Sequence, residues 1–230
     1  DISELTTTQV GALSASQVGS LTATAVSALD ASQVAALSTT QVKALTAVQL
    51  KGLSTTDIAE FADTQIGALT AVQVGALSAT NVAALDATQV AALSTTQMKG
   101  LSVTQVKALD TTDVAELSST QVAALSAIQI GALSSTSLGS LDSTQLGALT
   151  AAQIGALSAT SLSGLDGTQI GSLTTTQIGG LKPAQLKSLS TTDFAELTST
   201  QIGALSAAQM GALSATNISS LDSTQTAALT

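Results

Sequence analysis

Bulky apolar residues stand at positions 5, 13, 21, 29, 37, 45, 53 and 61 and continue at the same interval to Leu229, so (229 − 5)/8 gives 28 octads without an insertion. The unit reads Leu–[Ser/Thr/Asp]–x–[Thr/Ser]–Gln–[Val/Ile/Leu]–[Gly/Ala/Lys]–[Ala/Gly/Ser], with polar residues at positions 2 to 5 and an apolar residue at position 6. An unbroken α-helix turns about 100° per residue, so eight residues overshoot two turns by about 80° and the Leu stripe would wind around the helix. The octad carries its own interruption. Ser, Thr or Asp at position 2 followed three residues later by Gln is a capping box, which predicts a new helix in every octad. Pro183 stands at position 3, the first helical residue, where a missing N–H costs nothing.

Within such a helix the sixth residue and the next Leu lie three apart on one face, and the small pair between them admits a neighbouring backbone. Each octad therefore offers two apolar groups to a common core. Leu53, Phe61 and Leu117 represent position 1 of that core, Val122 and Phe194 position 6, and Met98 and Met210 obey the same rule at position 6.

Helices of one to two turns do not stand alone, so the octads must stack. The octads whose fifth residue is not Gln carry Asp1, Ala25, Asp57, Asn81, Asp113, Ser137, Ser161, Asp193 and Asn217, and their mean interval is (217 − 1)/8 = 27, or 27/8 = 3.4 octads. Residues 1–230 thus read as one continuous all-α helical repeat solenoid of short capped helices, one per octad, with 3.4 octads to the superhelical turn. At about 8–10 Å between stacked helices, such a segment measures roughly 65–80 Å. The competing fold is a β-solenoid, which the Thr and Val content suits. Its in-register ladders would be disrupted by gaps that alternate between three and four octads.

Composition narrows the function. The 230 residues include no Cys, His, Trp or Tyr, which removes most nucleophiles, transition-metal ligands and stacking platforms, and no enzymatic activity is expected. Six Lys against fifteen acids give a net charge of −9, which opposes nucleic-acid or anionic-membrane partners. There is no apolar run long enough for a membrane span. Residue 1 is Asp rather than Met, which suggests a chain processed or cut from something longer.

The most regular polar feature is an acid ladder of Asp1, Asp30, Asp57, Asp86, Asp113, Asp142, Asp166, Asp193 and Asp222, with one rung in every three to four octads. Asp30, Asp57, Asp86, Asp113 and Asp142 are its calcium candidates, and calcium is the one cofactor considered. Calcium needs several oxygens in one site, whereas one Asp per layer is sparse, and capping accounts for these residues without a ligand. Asp–x–x–Glu recurs as Asp1/Glu4, Asp57/Glu60, Asp113/Glu116 and Asp193/Glu196, and Lys51, Lys107 and Lys187 each precede such an Asp by six residues. Those charges can pair within one rod or between rods. Ser and Thr at positions 2 to 4 could form a hydroxyl array for glycan or ice, and Asn217-Ile218-Ser219 matches a glycosylation sequon.

On these residues the whole chain resembles the Leu–Thr–Thr–x–Gln–Val–x–Ala octad arrays of very large secreted bacterial surface proteins, some grouped with adhesins and type I secretion substrates. The resemblance implies a secreted or cell-surface setting and a spacer, stalk or filament role, with no family active-site residues to carry over. The expected partners are further copies of the chain or the continuation of a longer one, because the sequence runs from mid-octad Asp1 to Leu229-Thr230 without an atypical capping repeat. The alternative is a binding module that recognises glycan, ice or calcium through its Thr/Ser/Asp surface.

Overall fold

A computed structural model describes residues 2–229; Asp1, the first rung of the acid ladder, and Thr230 lie outside the described residues. Those residues form 28 α-helices of four to six residues, one in every octad, preceded by the 3-10 turn Ile2–Glu4. No strand occurs among them. The fold is a helical repeat solenoid, and the β-solenoid is excluded.

The capping box explains why each helix starts where it does. Ser118, extended at φ −67° and ψ 156°, accepts from the Gln121 backbone N–H, while the Gln121 side chain accepts from the Ser118 N–H. Leu117 before it is also extended, at φ −65° and ψ 134°. Two consecutive extended residues, positions 1 and 2, make this corner, as they do at Leu69–Thr70 and Leu173–Thr174. No described residue has a positive φ, so no corner depends on glycine's left-handed conformation. Ala62 and Lys182 lack a capping hydroxyl or carboxylate, yet Gln65 and Gln185 still accept from their backbone N–H groups at 2.9 and 2.7 Å. Pro183 is the first residue of the helix Pro183–Ser188, as the octad requires.

The chain divides into two compact units, Asp1–Leu109 and Asp110–Thr230. Within the first, the helix Asp63–Ala68 packs on Ala87–Ala92 and Ala71–Ala76 packs on Thr95–Gly100. Within the second, Thr111–Glu116 packs on Ser135–Gly139 and Ala151–Ile154 on Thr175–Gly179. In each case the partner is the third helix along. Side-chain hydrogen bonds reach 28 to 31 residues back, so a turn holds between three and four octads, in keeping with the spacing read from the sequence.

Position 6 is buried in every octad from Val10 to Ile202, and position 1 in every octad from Leu29 to Leu197. Leu53, Phe61 and Leu117 lie in the position-1 column, while Val122 and Phe194 are wholly inaccessible at position 6. Burial of each such side chain contributes about 1.5–3 kcal/mol, which is what holds together helices too short to persist alone. The small residues at positions 7 and 8 let successive turns close up. A Cβ on Gly155 would come within 2.5 Å of the Gly180 carbonyl oxygen, and one on Gly180 would collide with the carbonyl of Ala151.

Candidate functional site

The polar group that most shapes this molecule is the position-5 glutamine, and its second role is not apparent from the capping box. Gln49 accepts through Oε1 from the Thr46 N–H at 2.7 Å and donates through Nε2 to the carbonyls of Val18 at 2.9 Å and Leu21 at 2.8 Å. Gln177 does the same in the second unit, accepting from Thr174 and donating to Leu146 and Leu149 at 2.7 Å each. One side chain thus starts its own helix and ties it to the C-terminal end of a helix in the turn before. These glutamines are buried, so both ends of the amide need partners. A signal for this was present: a capping box accepts Glu as readily as Gln, yet all four Glu residues stand at position 8 and none at position 5.

The substitutions at position 5 follow the same logic. Asn81 and Asn217 keep the donor, reaching the carbonyls of Leu53 and Leu189 at 2.9 and 3.2 Å. That occupies and buries the sequon asparagine, Asn217, so it is not presented for glycosylation in the folded chain. Asp57 and Asp193 have no proton to give, and the polarity reverses: Ser27 and Ser163, each 30 residues earlier, donate their hydroxyls to them.

The calcium candidates are placed one by one by the same capping geometry. Asp30, Asp86 and Asp142 are N-caps that accept from the backbone N–H groups of Gln33, Gln89 and Gln145 at 2.9, 2.9 and 2.7 Å. Asp57 and Asp113 sit at N3 and accept from the N-cap N–H groups of Ser54 and Asp110. Among the described residues no group of three or more acidic side chains is placed to hold a metal ion.

The environments of these acids differ. At Asp57 burial opposes ionisation, but the Ser27 hydroxyl and the backbone and hydroxyl of Ser54 outweigh it and hold the carboxyl below its ordinary value. The Thr88 hydroxyl and the Gln89 N–H likewise hold Asp86 low. Asp113 is pushed up, by burial first and then by the charge of Asp110, against a backbone hydrogen bond from Asp110. Glu60 is pushed up by burial and by the nearby charges of Asp57 and Asp30, and its Oε2 is buried without a hydrogen-bond partner.

A raised carboxyl contributes stability below its unfolded pKa, and that contribution is lost as pH rises through the folded value. Ionised Glu60 is therefore unfavourable at neutral pH. Glu60→Gln is expected to melt slightly higher than the parent at pH 7, by under about 1 kcal/mol after solvent screening, with the gain disappearing in acid below the ordinary carboxylate value. Thermal melts at the two pH values measure this, and a lower melting point at pH 7 would show that ionised Glu60 is held by an attractive contact.

The position-2 hydroxyls are turned toward helix N-termini, as Ser38 accepts from Gln41 and Ser102 from Gln105. What remains open on the first unit is a groove that runs across successive turns, lined by Val48, Lys51, Gly75, Ala79, Ser102 and Thr104. Lys51, Lys107 and Lys187 lie exposed in the last turns of their helices. No lysine makes an ion pair with a carboxylate among the described residues.

Residues 128–159 and 175–207 match the ALTTAQ repeat. Both stretches lie in the second unit, and the match supports a repeat array. No curated protein matches the sequence. No described helix is long and apolar enough to cross a membrane.

Proposed function

We propose that this chain is a non-enzymatic structural repeat protein, a segment of a stalk or the wall of a self-assembled filament, on the outer surface of a bacterial cell. The observation that carries this reading is the position-5 glutamine ladder. Octad after octad uses its distinctive polar side chain to tie itself to the previous turn, so the polar groups that might have served a ligand are engaged in propagation. The secreted, cell-surface setting is drawn from the likeness of the octads to bacterial surface arrays. The acidic, cysteine-free composition is compatible with it.

Electron microscopy of the native sample, with light scattering of the 230-residue chain across concentration and salt, tests the reading. Extended fibres, or particles that grow with concentration, are expected. Compact globules that stay monomeric and carry no fibre in the native sample would overturn it. The binding-module alternative is separated by melting chelator-washed protein with and without calcium. An unchanged transition is expected, because the ladder carboxylates already cap helices, whereas a large stoichiometric stabilisation would move Asp30, Asp57, Asp86, Asp113 and Asp142 from capping to binding.

A further inference from the structure

The first unit keeps its charges on separate helices. Lys43, Lys51, Lys99 and Lys107 belong to the helices Thr39–Lys43, Ala47–Lys51, Thr95–Gly100 and Val103–Ala108. The acids belong to Ile2–Glu4, Thr55–Ala59 with its C-cap Glu60, Asp63–Ala68, and the helices capped by Asp30 and Asp86. No described helix of this unit carries both signs.

In the first unit the exposed valines lie on a lysine-bearing helix or on one packed against such a helix. Val48, Val72 and Val103 are 74, 78 and 38 % exposed, against a core that takes up most of the chain's large apolar side chains; Ile128 and Ile218 of the second unit are exposed too, at 74 and 46 %. Val48 precedes Lys51 by three residues and Val103 precedes Lys107 by four, so each pair shares a helix face. Val72 follows Ala71, whose carbonyl abuts Gly100, and Lys99 precedes that glycine. The groove joins the helices of Val48, Val72 and Val103, because Val48, Gly75 and Ser102 line it together and follow one another at equal intervals along the chain; Lys51 lines it as well, while Val72, Lys99, Val103 and Lys107 lie outside its lining. An apolar strip edged by cations is the form of a protein-binding surface rather than of a solvated face.

The occupant it fits is acidic, and the chain itself supplies one. Asp30, Asp63 and Asp86 are exposed, Glu60 is partly so, and Glu60 has an oxygen without a hydrogen-bond partner beside the charges of Asp57 and Asp30. We propose that the Val48–Lys51–Val72–Lys99–Val103–Lys107 face of the first unit docks on the Asp30–Glu60–Asp63–Asp86 edge of a second copy. This rests on the assembly reading above and names the surface through which it operates. The contact is heterologous, so each copy keeps one free face and one free edge, and association continues without closing on a pair.

The test uses the full chain in sedimentation velocity and light scattering, with far-UV circular dichroism to verify folding. Two charge reversals at exposed or partly exposed sites are made, Lys51→Glu with Lys107→Glu in one variant and Glu60→Lys with Asp63→Lys in the other. Each alone is expected to associate roughly tenfold more weakly or not at all, and an equimolar mixture to regain association, because each reversed surface then meets its complement. Val48→Ser with Val72→Ser should weaken association at an unchanged melting temperature, which keeps the idea testable should a reversal fail to fold. Wild-type association is expected to fall as salt rises. If the wild type associates and the reversed variants associate equally well, or if the mixture does not recover, this interface is overturned while assembly through another surface stands. A wild type that is monomeric under every condition overturns both this interface and the self-assembled form of the filament, leaving the continuous stalk.

Discussion

Val122→Asp is expected to cost the second unit about 3–5 kcal/mol, the range for a buried charge without a partner. Val122 is fully buried at position 6 of the helix Ser119–Ala124, and the core columns at positions 1 and 6 of the neighbouring octads contain only apolar side chains. The carboxylate would find no cation there and could not turn to solvent on a helix fixed at both ends by its corners. Since a domain's whole stability is about 5–15 kcal/mol, the loss should be plain as a lowered urea midpoint and reduced helical signal at neutral pH. Leu117→Asp, in the position-1 column, should behave alike. Thr120→Asp is the control, because residue 120 is exposed in the first turn of the same helix, where a negative charge is neutral or mildly favourable. Unchanged melting after Val122→Asp would mean that the two apolar columns are not what holds the octads together.

Gln49→Leu is expected to cost about 2–4 kcal/mol, since an unsatisfied buried polar group costs about 1–3 kcal/mol and this change strands two. The Thr46 N–H loses its acceptor and the Leu21 carbonyl its donor, while the Val18 carbonyl keeps only the Leu21 N–H. Gln49→Glu separates the two roles of the side chain. It keeps the oxygen that caps the helix but replaces the donor with a second acceptor facing two carbonyls. Burial and those carbonyl oxygens raise its folded pKa above the unfolded value of about 4.3. Its stability contribution is therefore present below that value and lost as pH rises through the folded one. The variant should be clearly weaker than the parent at pH 7 and approach it in acid, where the protonated carboxyl can donate to Leu21. Urea melts at both pH values decide the matter. A Gln49→Glu protein as stable as the parent at pH 7 would remove the amide from its place as the tie between turns.

The sequence states the helix-per-octad architecture almost completely, because its causes are local. A cap, a glutamine three residues on, and two apolar groups three apart are visible in any single octad. So is the placement of Phe61 and Phe194 in the core, since both obey the column they stand in. The tie between turns was hidden because capping already explains Gln, and one sufficient role conceals a second whose partner lies a whole superhelical turn away. The exchanges at Asp57 and Asp193 were hidden for the same reason. Their meaning appears only beside Ser27 and Ser163, which replace the Gly, Ala or Lys usual at position 7. The valine–lysine face was obscure because Val48, Val72 and Val103 occupy positions that are polar or small in nearly every other octad, Ile128 being an exception, and only the fold shows that they come out on neighbouring turns.

The reach of the glutamine across one turn has a consequence for heredity. Most octads hold the same cap, amide and Leu carbonyl, so duplicating or deleting a whole octad between Gln49 and Leu21 still leaves a carbonyl of the same kind 28 residues behind the glutamine. Replication slippage in units of eight codons would be tolerated, and arrays of this kind can lengthen or shorten without relearning how to fold. The serine–aspartate pairs do not share that freedom. An octad inserted after Leu37 would set Ala35 opposite the Asp57 carboxylate in place of Ser27, and loss of one there would set Gly19. Stretches between such partners should therefore be inherited as blocks of fixed length, while the array around them drifts in copy number.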